Sequence, residues 1–146
     1  MHPEKVTLVA PETQVSGAFI SKLRQAASEL PGLGLLILFG SRARGDASDW
    51  SDWDFAYLGE PPTVIDRAAL SGTLTDVLST DRVDVVDLQR TTALLRFRAA
   101  RDGVPVFERS PGLFLRFQEE ASLSWCDMEG VLRRAYGRVL DDLVQG

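Results

Sequence analysis

The residues best suited to chemistry sit close together in the chain. Gly40-Ser41 closes the apolar run 35–39, and ten residues separate Ser41 from Asp52-Trp53-Asp54, where a second apolar run opens. A short apolar run ended by a small, flexible pair reads as a buried strand feeding a tight turn. Without a Cβ, Gly40 lets the backbone approach a bulky anion, and the Ser41 N–H and hydroxyl can donate to phosphate oxygens. Residues 41–44 make one predicted helical turn that Gly45 stops, so Arg42 or Arg44 adds positive charge at the same place. If 52–58 is a strand, Asp52 and Asp54 share one face, while Trp53, Phe55 and Tyr57 share the other, buried one. Two carboxylates with oxygens about 4 Å apart repel by about 4 kcal/mol at an effective dielectric of about 20. Mg²⁺ gives a reason to hold them together, because it takes oxygen ligands, usually one or two carboxylates plus substrate phosphates. Each part alone is an ordinary turn or cap; together, a phosphate cradle beside paired acids describes a metal–nucleoside triphosphate site.

The surrounding elements must position these groups. Residues 14–30 place Val15, Phe19, Ile20, Leu23, Ala27 and Leu30 on one stripe of an amphipathic helix, which Pro31-Gly32 ends before the first strand. The second strand stops near Gly59, ahead of Pro61-Pro62, and Thr63 is the expected cap of a helix carrying Ile65, Leu70, Leu74, Val77 and Leu78. Residues 81–88 read as a third strand, with Asp84, Val86 and Leu88 on one face and Val83, Val85 and Asp87 on the other. An acid amid β-branched residues is unusual, which makes Asp84 the candidate third carboxylate and Asp87 its competitor. Thr91 or Thr92 caps a further helix with Leu94, Leu95 and Ala99, closed by Gly103, and 104–107 is a short edge strand that tolerates Pro105. After Pro111 the chain is helical. Leu113, Phe114, Phe117, Ala121 and Trp125 form one stripe and Val131, Leu132, Ala135, Val139 and Leu143 another, mostly core, with any surplus apolar surface free to dock a partner. Trp50 is expected to anchor its loop by packing.

Composition narrows the rest. A chain of 146 residues suits one compact domain, here 1–146, with a core at about 14–108 and C-terminal helices at about 111–144. Net charge is −5, without a lysine or arginine block, which argues against direct nucleic-acid binding. His2, near the terminus, is the sole histidine, so histidine-based catalysis or metal binding is not expected, and the lone Cys126 forms no internal disulfide. No apolar run reaches the roughly 20 residues of a membrane span, and the first ten residues lack a secretory segment; a cytoplasmic location is expected.

The pattern Gly40-Ser41, ten residues, Asp52-Trp53-Asp54 resembles the signature of the minimal nucleotidyltransferase family, within the polymerase-beta-like nucleotidyltransferase superfamily. The words Gly-Ser-Arg-Ala-Arg-Gly-Asp-Ala and Ser-Asp-x-Asp are especially similar to its antitoxin branch, and the C-terminal helical part looks similar too. The resemblance implies an α+β fold with a small mixed sheet flanked by helices. It places the third acid on the strand after the intervening helix, where Val83-Asp84-Val85-Val86 fits. It implies that Asp52, Asp54 and Asp84 hold Mg²⁺, two ions in all, that Gly40 and Ser41 hold the terminal phosphates of ATP, and that Arg42 or Arg44 offsets developing charge. The implied reaction adds AMP to a tyrosine of a cognate HEPN-type ribonuclease toxin, silencing it. Two alternatives stand: a small-molecule nucleotidyltransferase of the aminoglycoside-modifying type, and a catalytically silent antitoxin acting by occlusion. Aromatic Trp53 and Phe55 stand where the family is often aliphatic, which bears on packing rather than chemistry.

Overall fold

The structure, a computed structural model, describes residues 17–145. The predicted helix start at 14 with Val15, His2 and the first ten residues, expected to lack a secretory segment, lie outside the described residues.

A seven-residue strand, β1 (Leu33–Phe39), runs through the centre of the molecule, and six of its residues are buried. It begins two residues earlier than the apolar run alone suggests, because Leu33 already pairs with Gly59. A strand covered on both faces reads as continuously apolar, and here Leu36 and Leu38 serve one layer while Leu35 and Ile37 serve the other. Burying each such side chain contributes about 1.5–3 kcal/mol. On either side of β1 lie β2 (Trp53–Gly59) and β4 (Val104–Glu108), both antiparallel to it, and β3 (Val83–Asp87) pairs parallel with β2, giving the order β3-β2-β1-β4. The sheet is therefore mixed, as expected, and Pro105 lies on an edge strand.

Helices α1 (Gly17–Ser28) and α3 (Arg67–Leu78) cover one face, where Leu23, Leu70 and Leu74 meet Trp53, Phe55 and Tyr57. Parallel pairing of β2 and β3 requires a crossover, which α3 supplies. Asp66, rather than Thr63, caps α3, accepting from the Ala69 N–H at 3.1 Å. Thr63 and Ile65 precede the helix, because Glu60 hydrogen-bonds the Gly32 carbonyl and the chain first runs past that turn. Arg109, after β4, donates to the carbonyls of Ser28 at the end of α1, Leu30 in the turn and Leu33 at the start of β1, tying the three together.

The opposite face carries α4 (Ala93–Asp102) and α5 (Leu113–Tyr136), with Ala99, Phe117 and Ala121 against Leu35, Ile37 and Ala56. Thr92, of the two candidates, caps α4 through the Leu95 N–H. Gly103 ends it in an extended conformation, φ −74°; what requires glycine is close packing, since a Cβ would lie 2.2 Å from the Ala99 oxygen and 2.4 Å from Ile37. At 24 residues, α5 outruns the sheet. Trp125 stacks on Phe97 with ring centres 5.5 Å apart, and beyond it the apolar stripe passes into solvent. Met128, Val131, Val139 and Leu143 are exposed, so the second stripe is mostly surface, not the core its periodicity suggested; Leu140 of the final helix α6 (Arg138–Gln145) is buried instead. Among the described residues, no helix is long and apolar enough to cross a membrane.

Candidate active site

Where β1 ends, Phe39 pairs with Asp54, and Asp54 pairs in turn with Asp84 across β2 and β3. Residues in register on neighbouring strands point to the same face, so strand alternation brings these two acids side by side. Gly40 follows at φ 76° and ψ −160°, a region essentially confined to glycine. A Cβ on Gly40 would stand 2.3 Å from Asp54 Oδ2. The anion that the bare backbone admits is thus, first of all, the protein's own carboxylate.

Burial raises the proton affinity of Asp54 above the ordinary carboxylate value; Asp84 and then Asp52 push the same way, and Arg44 opposes them. All three acids therefore belong to one electrostatic neighbourhood. Their positions differ from a fully alternating strand, however. β2 begins at Trp53, whose N–H donates to the Arg82 carbonyl at 2.8 Å, and Asp52 lies exposed just before it. Asp84 is exposed and Asp54 half-buried. Among the described residues no three acidic, histidine or cysteine side chains are gathered closely enough to hold a metal ion, so the expected three-acid metal set is not a closed cage. The donor chemistry still fits Mg²⁺: hard oxygens on neighbouring strands, one of them short of positive charge, leave room for an ion that completes its shell with phosphate. Asp87 is turned elsewhere. It pairs with Tyr57, accepts from the Gln89 N–H at 2.9 Å and lies 3.8 Å from Arg90, fastening the turn after β3.

The short helix α2 (Ser41–Arg44) sorts the two arginines. Arg44 lines a cavity of about 270 Å³ together with Phe39, Gly40, Ser41 and Asp54. Arg42 does not. It is buried, with its guanidinium 4.4 Å from the centre of the Trp53 ring and one nitrogen donating to the Ser51 carbonyl at 2.8 Å. Stacking on a buried tryptophan takes it out of the expected phosphate-binding role and makes it the strut of the loop that carries Asp52. Trp50 anchors nothing by burial; the residue is 74 % exposed, with the Arg82 guanidinium over its ring.

The far wall of the cavity was not foreseen. Leu95, Arg98 and Asp102 of α4 complete it. The spacing of Arg98 and Asp102, four residues apart on a helix, was the available signal, since it sets both on one face. Asp102 is held below the ordinary carboxylate value by hydrogen bonds from Arg101, helped by the nearby charges of Arg44 and Arg98. Asp84 also borders a second cavity of about 480 Å³ at the outer edge of β3, with Tyr57, Arg67, Asp87 and Arg90.

Comparison with known proteins agrees with this geometry. The family model described as polymerase beta, nucleotidyltransferase, matches residues 21–112. Protein adenylyltransferase MntA of Aphanizomenon flos-aquae is 31% identical over 119 residues, 72% of this chain and 79% of that protein. A chain of a toxin–antitoxin crystal structure with AMP-PNP superposes with a TM-score of 0.59 at 26% identity, covering 86% of this chain and 96% of that one. A chain of the Shewanella oneidensis complex between a tri-AMPylated HEPN toxin and its MNT antitoxin gives a TM-score of 0.52 at 25% identity, covering 85% and 92%. A Gly-Ser turn packed on an aspartate that is in register with a second aspartate is what such a family needs, and this chain belongs to the polymerase beta nucleotidyltransferase family, on the branch of the protein adenylyltransferase MntA.

Proposed function

We propose that this nucleotidyltransferase is the antitoxin of a toxin–antitoxin pair, that it works in the cytoplasm as a single domain spanning 1–146, and that it transfers AMP from ATP to a tyrosine of a HEPN-type ribonuclease toxin. The observation that carries the reading is the register Phe39–Asp54–Asp84, which sets two acids on one face beside a cavity floored by Gly40 and Ser41. Relatives solved as toxin–antitoxin complexes, one with an ATP analogue and one with an AMPylated toxin, support the choice of nucleotide and acceptor. Asp52, Asp54 and Asp84 are the carboxylates for Mg²⁺, two ions in this reading, and Gly40, Ser41 and Arg44 face the triphosphate tail. Bound there, Mg²⁺ would neutralise phosphate charge and lower the proton affinity of the attacking hydroxyl. The acceptor oxygen attacks the α-phosphorus, the bond from that phosphorus to the bridging oxygen breaks, and pyrophosphate leaves. In this reading Asp84, exposed on β3 and in register with Asp54, takes the proton of the acceptor hydroxyl.

Incubating the protein with labelled ATP, Mg²⁺ and its HEPN-type partner tests this. Label should appear on the partner's tyrosine and vanish with Asp54→Asn. Neutralisation that survives Asp54→Asn with no transfer would establish occlusion instead, and labelling of an aminoglycoside in place of the partner would establish the small-molecule enzyme.

A further inference from the structure

The wall of the cavity built by α4 has no part in the reading so far, yet it holds the unusual charges. Arg98 lines the cavity, and its Nε is buried without a hydrogen-bond partner. One terminal nitrogen, on the same edge of the guanidinium as Nε, donates to the Leu143 carbonyl of α6. That edge of the guanidinium is thus fixed by the fold. Arg44 lines the same cavity from α2 and lies 3.5 Å from Asp46, with its side chain 41% exposed, so it is free to swing inward.

We propose that Arg98 is a polyphosphate-binding residue, closing with Arg44 on the tail of the nucleoside triphosphate, and that Asp102 is the counter-charge whose place the tail takes. The inference rests on the nucleotidyltransferase reading and deepens it. A guanidinium presents donors in a planar fork that matches phosphate geometry, and with its position set by Leu143 it loses little freedom on binding. Without ligand, the cavity balances Arg44 and Arg98 against Asp54 and Asp102. An incoming triphosphate adds several negative charges. A cation at Asp54 can neutralise those nearest the β2 acids, leaving the distal phosphates to the arginines. Asp102 then competes with the tail for the same two cations, which limits affinity and favours release of pyrophosphate.

The plain alternative is that Arg98 merely pins α6. Equilibrium binding of ATP, pyrophosphate and AMP to the full chain with Mg²⁺ separates the two. Arg98→Gln should weaken ATP and pyrophosphate about tenfold or more and leave AMP within about twofold. Arg98→Lys, which keeps charge without the fork, should fall between, and serves if Arg98→Gln does not fold. Asp102→Asn should tighten ATP and pyrophosphate several-fold, an opposite sign that loss of a structural contact does not produce. Equal weakening of ATP and AMP by both Arg98 variants, or unchanged ATP binding, overturns the role of Arg98; weaker ATP binding by Asp102→Asn overturns the counter-charge. Triphosphate-selective loss in a protein that labels no partner would sink the adenylylation reading and leave this one standing.

Discussion

Asp54 and Asp102 line one cavity from opposite layers, and the fold treats them in opposite ways. Asp54 sits on the sheet, half-buried, against a bare glycine, beside two more acids, and its carboxylate binds protons more readily than usual. Asp102 sits at the end of α4, held by two hydrogen bonds of 2.8 Å from Arg101, and its carboxylate is stabilised as an anion. The first is short of a partner and the second has one. A site that keeps an acid short of cations is organised around something that arrives from outside, whereas a paired acid belongs to the resting fold.

The comparison can be broken in four places. Asp54→Asn should cut nucleotidyl transfer by about a thousandfold or more, roughly 4 kcal/mol of barrier. The same change should raise the melting temperature, because it removes a destabilised anion. Next comes Gly40→Ala, which forces the Asp54 carboxylate aside and strains a backbone suited to glycine; activity should fall nearly as far, with about 1–3 kcal/mol of stability lost. In Asp102→Asn the resting fold loses its ion pair, and denaturant melts should show about 0.5–1 kcal/mol of destabilisation at neutral pH. The smallest effect is the difference in pH slope. The stabilisation from Asp102 is present above the unfolded carboxylate value of 3.8 and is lost as pH falls below it. The penalty from ionised Asp54 is full above its raised folded value and gone below 3.8. Between pH 7 and pH 3 the gain from Asp54→Asn should therefore shrink, and so should the loss from Asp102→Asn. A common sign for the two substitutions at pH 7 would erase the distinction between the two walls.

How much of this was legible in the sequence follows from the range of the interactions. The β1–turn–β2 segment is local, so apolar runs and the Gly-Ser turn displayed it; period-two alternation put Asp84 and Asp87 on opposite faces of β3, while the pairing of Asp84 with Asp54 rested on the family resemblance, since spacing alone does not fix strand order. Arg98 and Asp102 escaped notice because α4 reaches the cavity by tertiary packing across β1, which periodicity does not encode. Arg42 and Arg44 looked equivalent from spacing; burial of Trp53 beneath one of them decided between them. The cap of α3 moved from Thr63 to Asp66 because the chain must first pass the Gly32 turn. The second stripe of α5 shows the same limit, since amphipathic spacing reveals which side of a helix is oily and not how far its support extends.

That overhang bears on handling the protein. A 24-residue helix is about 36 Å long, and past Trp125 it holds Met128 and Val131 in water, joined by Val139 and Leu143 from the next helix. Arg133 ties the two segments to each other through Glu129 and Asp141, so the aliphatic side chains cannot simply fold away. Solutions of the chain by itself should scatter more light as concentration and ionic strength rise.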